Sequence, residues 1–268
     1  ILELHTLGAR TVYDQNDVTE FARALTGFTV GGMSKGPVQR LMAQNGKDGD
    51  SQFFAAIHEP GDRLVIGRRY IQKGEAQARA ILSDIATHPA TAKHIATKIA
   101  QHFAADVPPS SLVARLEKSF LESGGDLPKL YRTLIESPEM WLAKQAKFKS
   151  PWDWVISSLR ALNVRELPNN RQGANMLAQM GQPIWKPGSP AGFSDMTENW
   201  AGGAALMRRV EIASRIAERS ANRVDARALA PRILSTQLGA LTAESIARAE
   251  SPSQGLALFL LSPEFLRR

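Results

Sequence analysis

The sequence predicts a mainly α protein: one domain, residues 1–268, of packed amphipathic helices with a small antiparallel β-hairpin inserted at 51–71. Three observations predict it. From Glu75 to the end, apolar residues recur at helical spacing. Ser51–Ile71, SQFFAAIHEPGDRLVIGRRYI, is the stretch that departs from that period, alternating apolar residues around Pro60-Gly61. The dipeptide Ser-Pro recurs at Ser137, Ser150, Ser189, Ser251 and Ser262, mostly where a helix should begin, because serine caps and proline suits the first turn. With 268 residues, 43% of them hydrophobic, the chain can bury a substantial core.

Taken in order, Ile1–Leu7 reads as the end of a helix stopped by Gly8, as if the sequence were part of a longer chain. Asp17 is placed to cap a helix whose apolar face is Val18, Phe21 and Leu25. Phe28–Val30 is a candidate strand, Gly31–Gly36 a turn and Pro37–Asn45 a short helix, closed by the polar loop Gly46–Asp50. The hairpin is expected to pair Phe53–His58 with Arg63–Ile66, since glycine at position 61 tolerates the positive φ of a type II turn. Helical stripes follow: Ala78, Ile81, Leu82 and Ile85; Ala92, Ile95, Ala96, Ile99 and Phe103; Leu112, Leu116 and Phe120. Gly124-Gly125 ends the third, and Asp126 caps a fourth that would bury Leu127, Leu130, Tyr131 and Leu134. Pro151–Leu162 is the clearest helix, with Trp152, Val155, Leu159 and Leu162 on one face. A later helix carries Leu206, Val210, Ala213 and Ala217.

Between these lies a long loop, Gly181–Trp200, GQPIWKPGSPAGFSDMTENW, with Trp185, Phe193 and Trp200 spaced along it. Long loops inside compact domains are usually functional or disordered, and three large aromatics argue against disorder. Two readings stand: the aromatics fasten the loop to the helices, or they contact a partner.

Composition excludes several classes. The absence of cysteine removes disulfides, thiolate catalysis and Cys-ligated zinc. No apolar run approaches the roughly 20 residues of a membrane-crossing helix. The charge of +7 is spread, about −1 on 1–57 and +4 on each of 58–150 and 151–268. Thirteen arginines follow Pro151, but Arg215 has Glu211 and Glu218 at helical pairing distance, and no aromatic-interleaved basic patch marks a nucleic-acid surface. Gly32-Met33-Ser34-Lys35-Gly36 fits G-x-S-x-G, yet two or three short strands cannot build the parallel sheet that a nucleophile elbow requires. Asp48 and Asp50 do not complete a calcium loop.

All five histidines fall in the first 102 residues, which invites a metal reading. His94 and His102, eight apart on one helix, are separated by about 12 Å of rise and cannot share an ion. Both read as helix-surface residues. His88, before Pro89, is placed to bond the backbone of a helix start. The remaining candidates are His5 and the hairpin-tip cluster His58, Glu59 and Asp62. A histidine beside a carboxylate can bind a divalent metal or act as general acid and base. The competing expectation is that His58 and Asp62 bond across their own turn and that His5 is a satisfied interhelical residue.

Five ordered motifs carry a resemblance: ILELHTLG, DVTEFARALTGF, HEPGDRLVIGRRY, HPATAKHIATKIAQHF and GQPIWKPGSPAGF. Together they are similar to the bacterial family catalogued as domain of unknown function 1800 (DUF1800). The resemblance implies a largely helical protein, often exported, and often encoded beside another exported family, DUF1501, a candidate partner. It also implies that members extend further at the N-terminus, so that this chain corresponds to roughly the C-terminal part of the family domain. No activity comes with it.

Two functional expectations follow. The first is an exported interaction or scaffold module acting with a partner protein or surface polymer, Trp185, Phe193 and Trp200 being the candidate contacts. The alternative is a metal-assisted hydrolase or other enzyme centred on His58, Asp62 and His5. A binding loop should leave Trp185 or Trp200 exposed, whereas a purely structural loop should bury both.

Overall fold

A computed structural model describes residues 1–31, 49–141, 146–166 and 169–268. The G-x-S-x-G match, the helix expected at Pro37–Asn45 and Asp48 lie outside the described residues. Among those residues there are twelve α-helices and two two-stranded antiparallel sheets, so the fold is mainly α. They gather into two compact units, Ile1–Lys98 with Ser110–Ile135, and Ile99–Pro109 with Glu136–Arg268.

The first unit opens with turns over Ile1–Leu7, not a helix, and these bury Leu2 and Leu7. Helix α1 (Gln15–Leu25) is capped by Asp14, whose side chain accepts from Asp17 N while Asp17 returns a bond to the Asp14 backbone. Asp17 is therefore the third residue of a capping box rather than the cap itself. Its second carboxylate oxygen accepts from Ile66 N at 2.7 Å, tying the helix start to the hairpin.

Strand β1 (Phe28–Val30) pairs with β2 (Ser51–Phe53), in the register Phe28 to Phe53. Strands β3 (Arg63–Val65) and β4 (Arg68–Tyr70) form the hairpin. Its turn is Ile66-Gly67, both at positive φ (50° and 70°), the signature of a two-residue primed turn. The expected turn at Pro60-Gly61 is thus corrected to a corner between two separate sheets. It closes no hairpin because the strands on either side pair elsewhere, β2 with β1 and β3 with β4, and its carbonyls accept instead from the buried Arg63 (Glu59 O and Pro60 O) and the buried Gln77 (Gly61 O). Gly27, at φ +95°, allows the close approach of β2; a Cβ there would lie 2.7 Å from the Phe53 ring.

Helices α2 (Glu75–Ala86), α3 (Pro89–Phe103), α4 (Ser110–Glu122) and α5 (Leu127–Glu136) follow. Phe21, Val65, Tyr70, Ile81 and Ile85 pack into one apolar cluster. Leu112, Leu116, Phe120, Leu130 and Leu134 are buried as expected, but Leu127 and Tyr131 are exposed.

In the second unit, Lys147–Lys149 runs antiparallel to Leu266–Arg268 through backbone bonds and the Phe148–Arg267 bridge. Helix α6 (Pro151–Ala161) starts at Ser150, whose hydroxyl accepts from Asp153 N. Of its expected face Val155 and Leu162 are buried and Leu159 packs against the core, but Trp154 and Ser158 are buried with them while Trp152 is half exposed. Trp154 claims the interior because its indole N–H finds Leu260 O at 2.9 Å, satisfying its one polar atom. Helices α7 (Asn170–Gln179), α8 (Thr197–Trp200), α9 (Gly203–Ser220), α10 (Ala226–Leu234), α11 (Ala240–Ala247) and α12 (Pro252–Leu260) complete it, with α9 lying along α12. Phe259, fully buried there, contributes about 1.5–3 kcal/mol of burial. On α9 the inward row is Arg209, Ile212, Ala213 and Ala217, displacing the expected Val210, which is exposed. Arg209 is accommodated by stacking on Phe148 and Trp154 and donating to Lys149 O at 2.6 Å.

Candidate functional site

At the corner of the first unit each predicted polar group has a local partner. His58 Nδ1 lies 2.9 Å from Thr26 O and therefore donates to it, while Glu59 N donates to the Thr26 hydroxyl at 2.8 Å. Asp62 accepts two bonds from Arg69, and Glu59 faces Arg23 and Arg63 at 3.4 and 3.8 Å. His5 is exposed on the N-terminal turns. Among the described residues no three His, Asp or Glu side chains come together as a group that could hold a metal ion. His88 caps α3, its Nδ1 accepting from Ala90 N, as its position before Pro89 suggests. His94 is half-buried, with Nε2 3.3 Å from Leu4 O and its ring against Gly8.

Another polar assembly lies in the second unit, around the base of the 181–200 loop. His102, on the last turn of α3, bonds Asp195 at 2.9 Å through Nδ1, so it is a partnered group and not a simple surface residue. Lys147, 1% exposed, bonds Asp106 at 2.7 Å and the backbone carbonyl of Asp195 at 2.5 Å. The second Asp106 oxygen accepts from Thr197 N at 2.8 Å. Trp200 is 6% exposed, donates its indole N–H to Ser194 O, and lies with its ring tilted 54° to that of Phe193, centroids 6.3 Å apart. His102 and Asp106 from one stretch, Lys147 from another and Trp200 from the loop itself thus hold residues 194–197.

The charges there perturb one another. The His102 hydrogen bond holds the Asp195 carboxyl below its ordinary range against the effect of burial. Burial works to raise Asp106, but the bonds from Lys147 and Thr197 outweigh it and the net shift is downward. Lys149 is brought down to about 8, chiefly by burial, with Asp153 opposing and the nearby Arg268 and Arg209 reinforcing. Its ammonium donates to Phe265 O and lies 4.2 Å from the centre of that ring.

The other end of the loop is built differently. Gln182 is fixed at both ends, its backbone N–H donating to Leu177 O and its side chain accepting from Trp152 N. Lys186 N bonds back to Pro183 O, and at the bend between them Trp185 sits at φ +53° with 96% of its surface exposed. Residues 184–192 are all exposed. The half-exposed Trp152 and Ile184 flank this bend in sequence or through Gln182. Of the three loop aromatics, then, Phe193 and Trp200 fasten and Trp185 is presented. An indole held out in this way can stack on, or insert into, a complementary surface.

Sequence reasoning missed His102, Asp106, Lys147 and Asp195. Their separations of 93 and 41 residues leave no local pattern, the nearest signal being Asp195's place inside the aromatic loop. Among the described residues no helix is long and apolar enough to cross a membrane. Neither curated proteins nor solved structures show a match to the chain. A family model described as "Protein of unknown function (DUF1800)" matches residues 1–267, essentially its whole length, and the chain belongs to that family.

Proposed function

We propose that the protein is an interaction module, exported, that engages a partner protein or surface polymer through the face carrying Trp185. One observation carries this reading: a tryptophan 96% exposed at the bend of a loop whose other end is fastened by a buried lysine and a buried indole. Exposing so much apolar surface gains nothing for folding, whereas a rigid base lowers the ordering cost of binding. Tryptophan also leads the residue types that dominate interfaces. The family resemblance makes a DUF1501 protein the first partner to try. The test is co-purification of wild type and Trp185→Ala with a co-expressed DUF1501 protein, together with co-sedimentation with cell-wall polymer. Loss of either association in a variant that unfolds at the same urea concentration supports the reading; equal association by both proteins contradicts it.

A further inference from the structure

A second site lies elsewhere in the second unit. The end of α6, one face of α7 along its length and the last turns of α9 line an open cleft of about 710 Å³, within the range of small-molecule sites. Arg171, Arg215, Arg219 and Arg223 line it against a single carboxylate, Glu166, while Leu159 and Met176 supply apolar wall. Arg215 and Arg219 lie four residues apart on one face of α9, a spacing at which like charges destabilise a helix, and Arg223 follows on the turn just beyond it. Carboxylates at pairing distance do not relieve it. Arg215 has Glu211 and Glu218 within one turn, yet it bonds the neutral side chain of Gln179 at 2.8 Å instead. Among the described residues no ion pair is made by any of the four. The remaining polar lining, Asn169, Gln172, Asn175 and Gln179, is neutral, and the positive end of the α7 dipole adds to the same sign of field.

We propose that this cleft binds a small organic anion bearing a phosphate or carboxylate group on an apolar body. The anionic group sits among the guanidiniums, whose planar forks match such oxygens in pairs. The apolar body lies against Leu159 and Met176.

The test is calorimetric titration of the full chain at low salt with naphthyl phosphate and with inorganic phosphate. Naphthyl phosphate is expected to saturate one site and to bind about tenfold more tightly than inorganic phosphate, from the apolar area it adds. An Arg219→Gln/Arg223→Gln variant should weaken it about tenfold or more, since each charged hydrogen bond contributes on that scale. Arg232→Gln, an exposed arginine outside the cleft, is the control for net charge and should leave the affinity unchanged. Absence of saturable binding, equal affinities for the two probes, or an equal loss in Arg232→Gln would each overturn the proposal. Because the exposed arginines could still affect folding, the titration is repeated with Arg219→Lys/Arg223→Lys. Retained charge without the fork should give an intermediate affinity, and wild-type affinity there would also contradict recognition by guanidinium pairs.

Discussion

At one end of the 181–200 loop Trp200 is 6% exposed, its N–H bonded to Ser194 O and its neighbours held by Lys147, Asp106 and His102; fifteen residues earlier Trp185 is 96% exposed. The residue type is the same and the loop is the same. The difference lies in what meets the ring: at Trp200 a polar partner and a packed wall, at Trp185 solvent. A large aromatic in a loop fastens it when its polar atom and its faces are both satisfied, and otherwise marks a contact surface.

That contrast can be broken at several points. The largest effect is expected from Trp200→Ala, which should cost about 3–5 kcal/mol in urea unfolding, as other truncations of buried aromatics do. A cost near zero would show that the base of the loop is not packed. Lys147→Met leaves Asp106 without its cation and should cost at the low end of the roughly 3–5 kcal/mol range for broken buried pairs, Asp106 being partly exposed. Adding Asp106→Leu should recover part of the loss, which a thermodynamic cycle measures.

Stability should depend on pH through Lys149 and through the carboxylates at the loop base. Folded Lys149 releases its proton near pH 8, whereas the unfolded chain holds it to about 10.5. Between those values the unfolded state binds more protons, so stability rises with pH, and below pH 8 the cost of the buried charge is felt in full. Lys149→Met should flatten that rise. Asp106 and Asp195 act at the acid end, stabilising above pH 3.8 and losing that contribution as the pH falls through their lowered values.

His58→Ala tests the corner of the first unit. It removes one bond to Thr26 and should cost about 1 kcal/mol, with the metal content of the protein unchanged in elemental analysis. A stoichiometric metal lost in that variant would support a metal site at His58. The smallest effect on stability is expected at Trp185→Ala, within about 0.5 kcal/mol, as for an exposed side chain.

Much of the helical scaffold was legible in the sequence because helix periodicity and capping are local. Ser150 and Ser251 cap α6 and α12 as their Ser-Pro dipeptides indicate, and the stripes Ile81–Ile85 and Leu112–Phe120 are buried. Pairing of strands was not legible, since it depends on partners far along the chain. Pro60-Gly61 has the composition of a hairpin turn, but the strand before it pairs with Phe28–Val30 and the strand after it with Arg68–Tyr70, and nothing in the turn itself announces that. The choice of Trp154 over Trp152 for the interior depended on Leu260, 106 residues away. The aromatic loop stood out by composition, but its anchoring charges did not, because a lysine buried against an aspartate 41 residues away looks in sequence like any surface lysine.

The most direct measurement places a photoreactive amino acid at position 184, beside Trp185, and in a control at Leu241, which is 80% exposed in the same unit. Cross-linking is then compared with Trp185 intact and with Trp185→Ala, in cells that make a DUF1501 protein. One discrete adduct is expected from position 184, disappearing in Trp185→Ala, and none from position 241. Adducts of equal yield from both positions, or an adduct from position 184 that survives Trp185→Ala, would contradict this expectation.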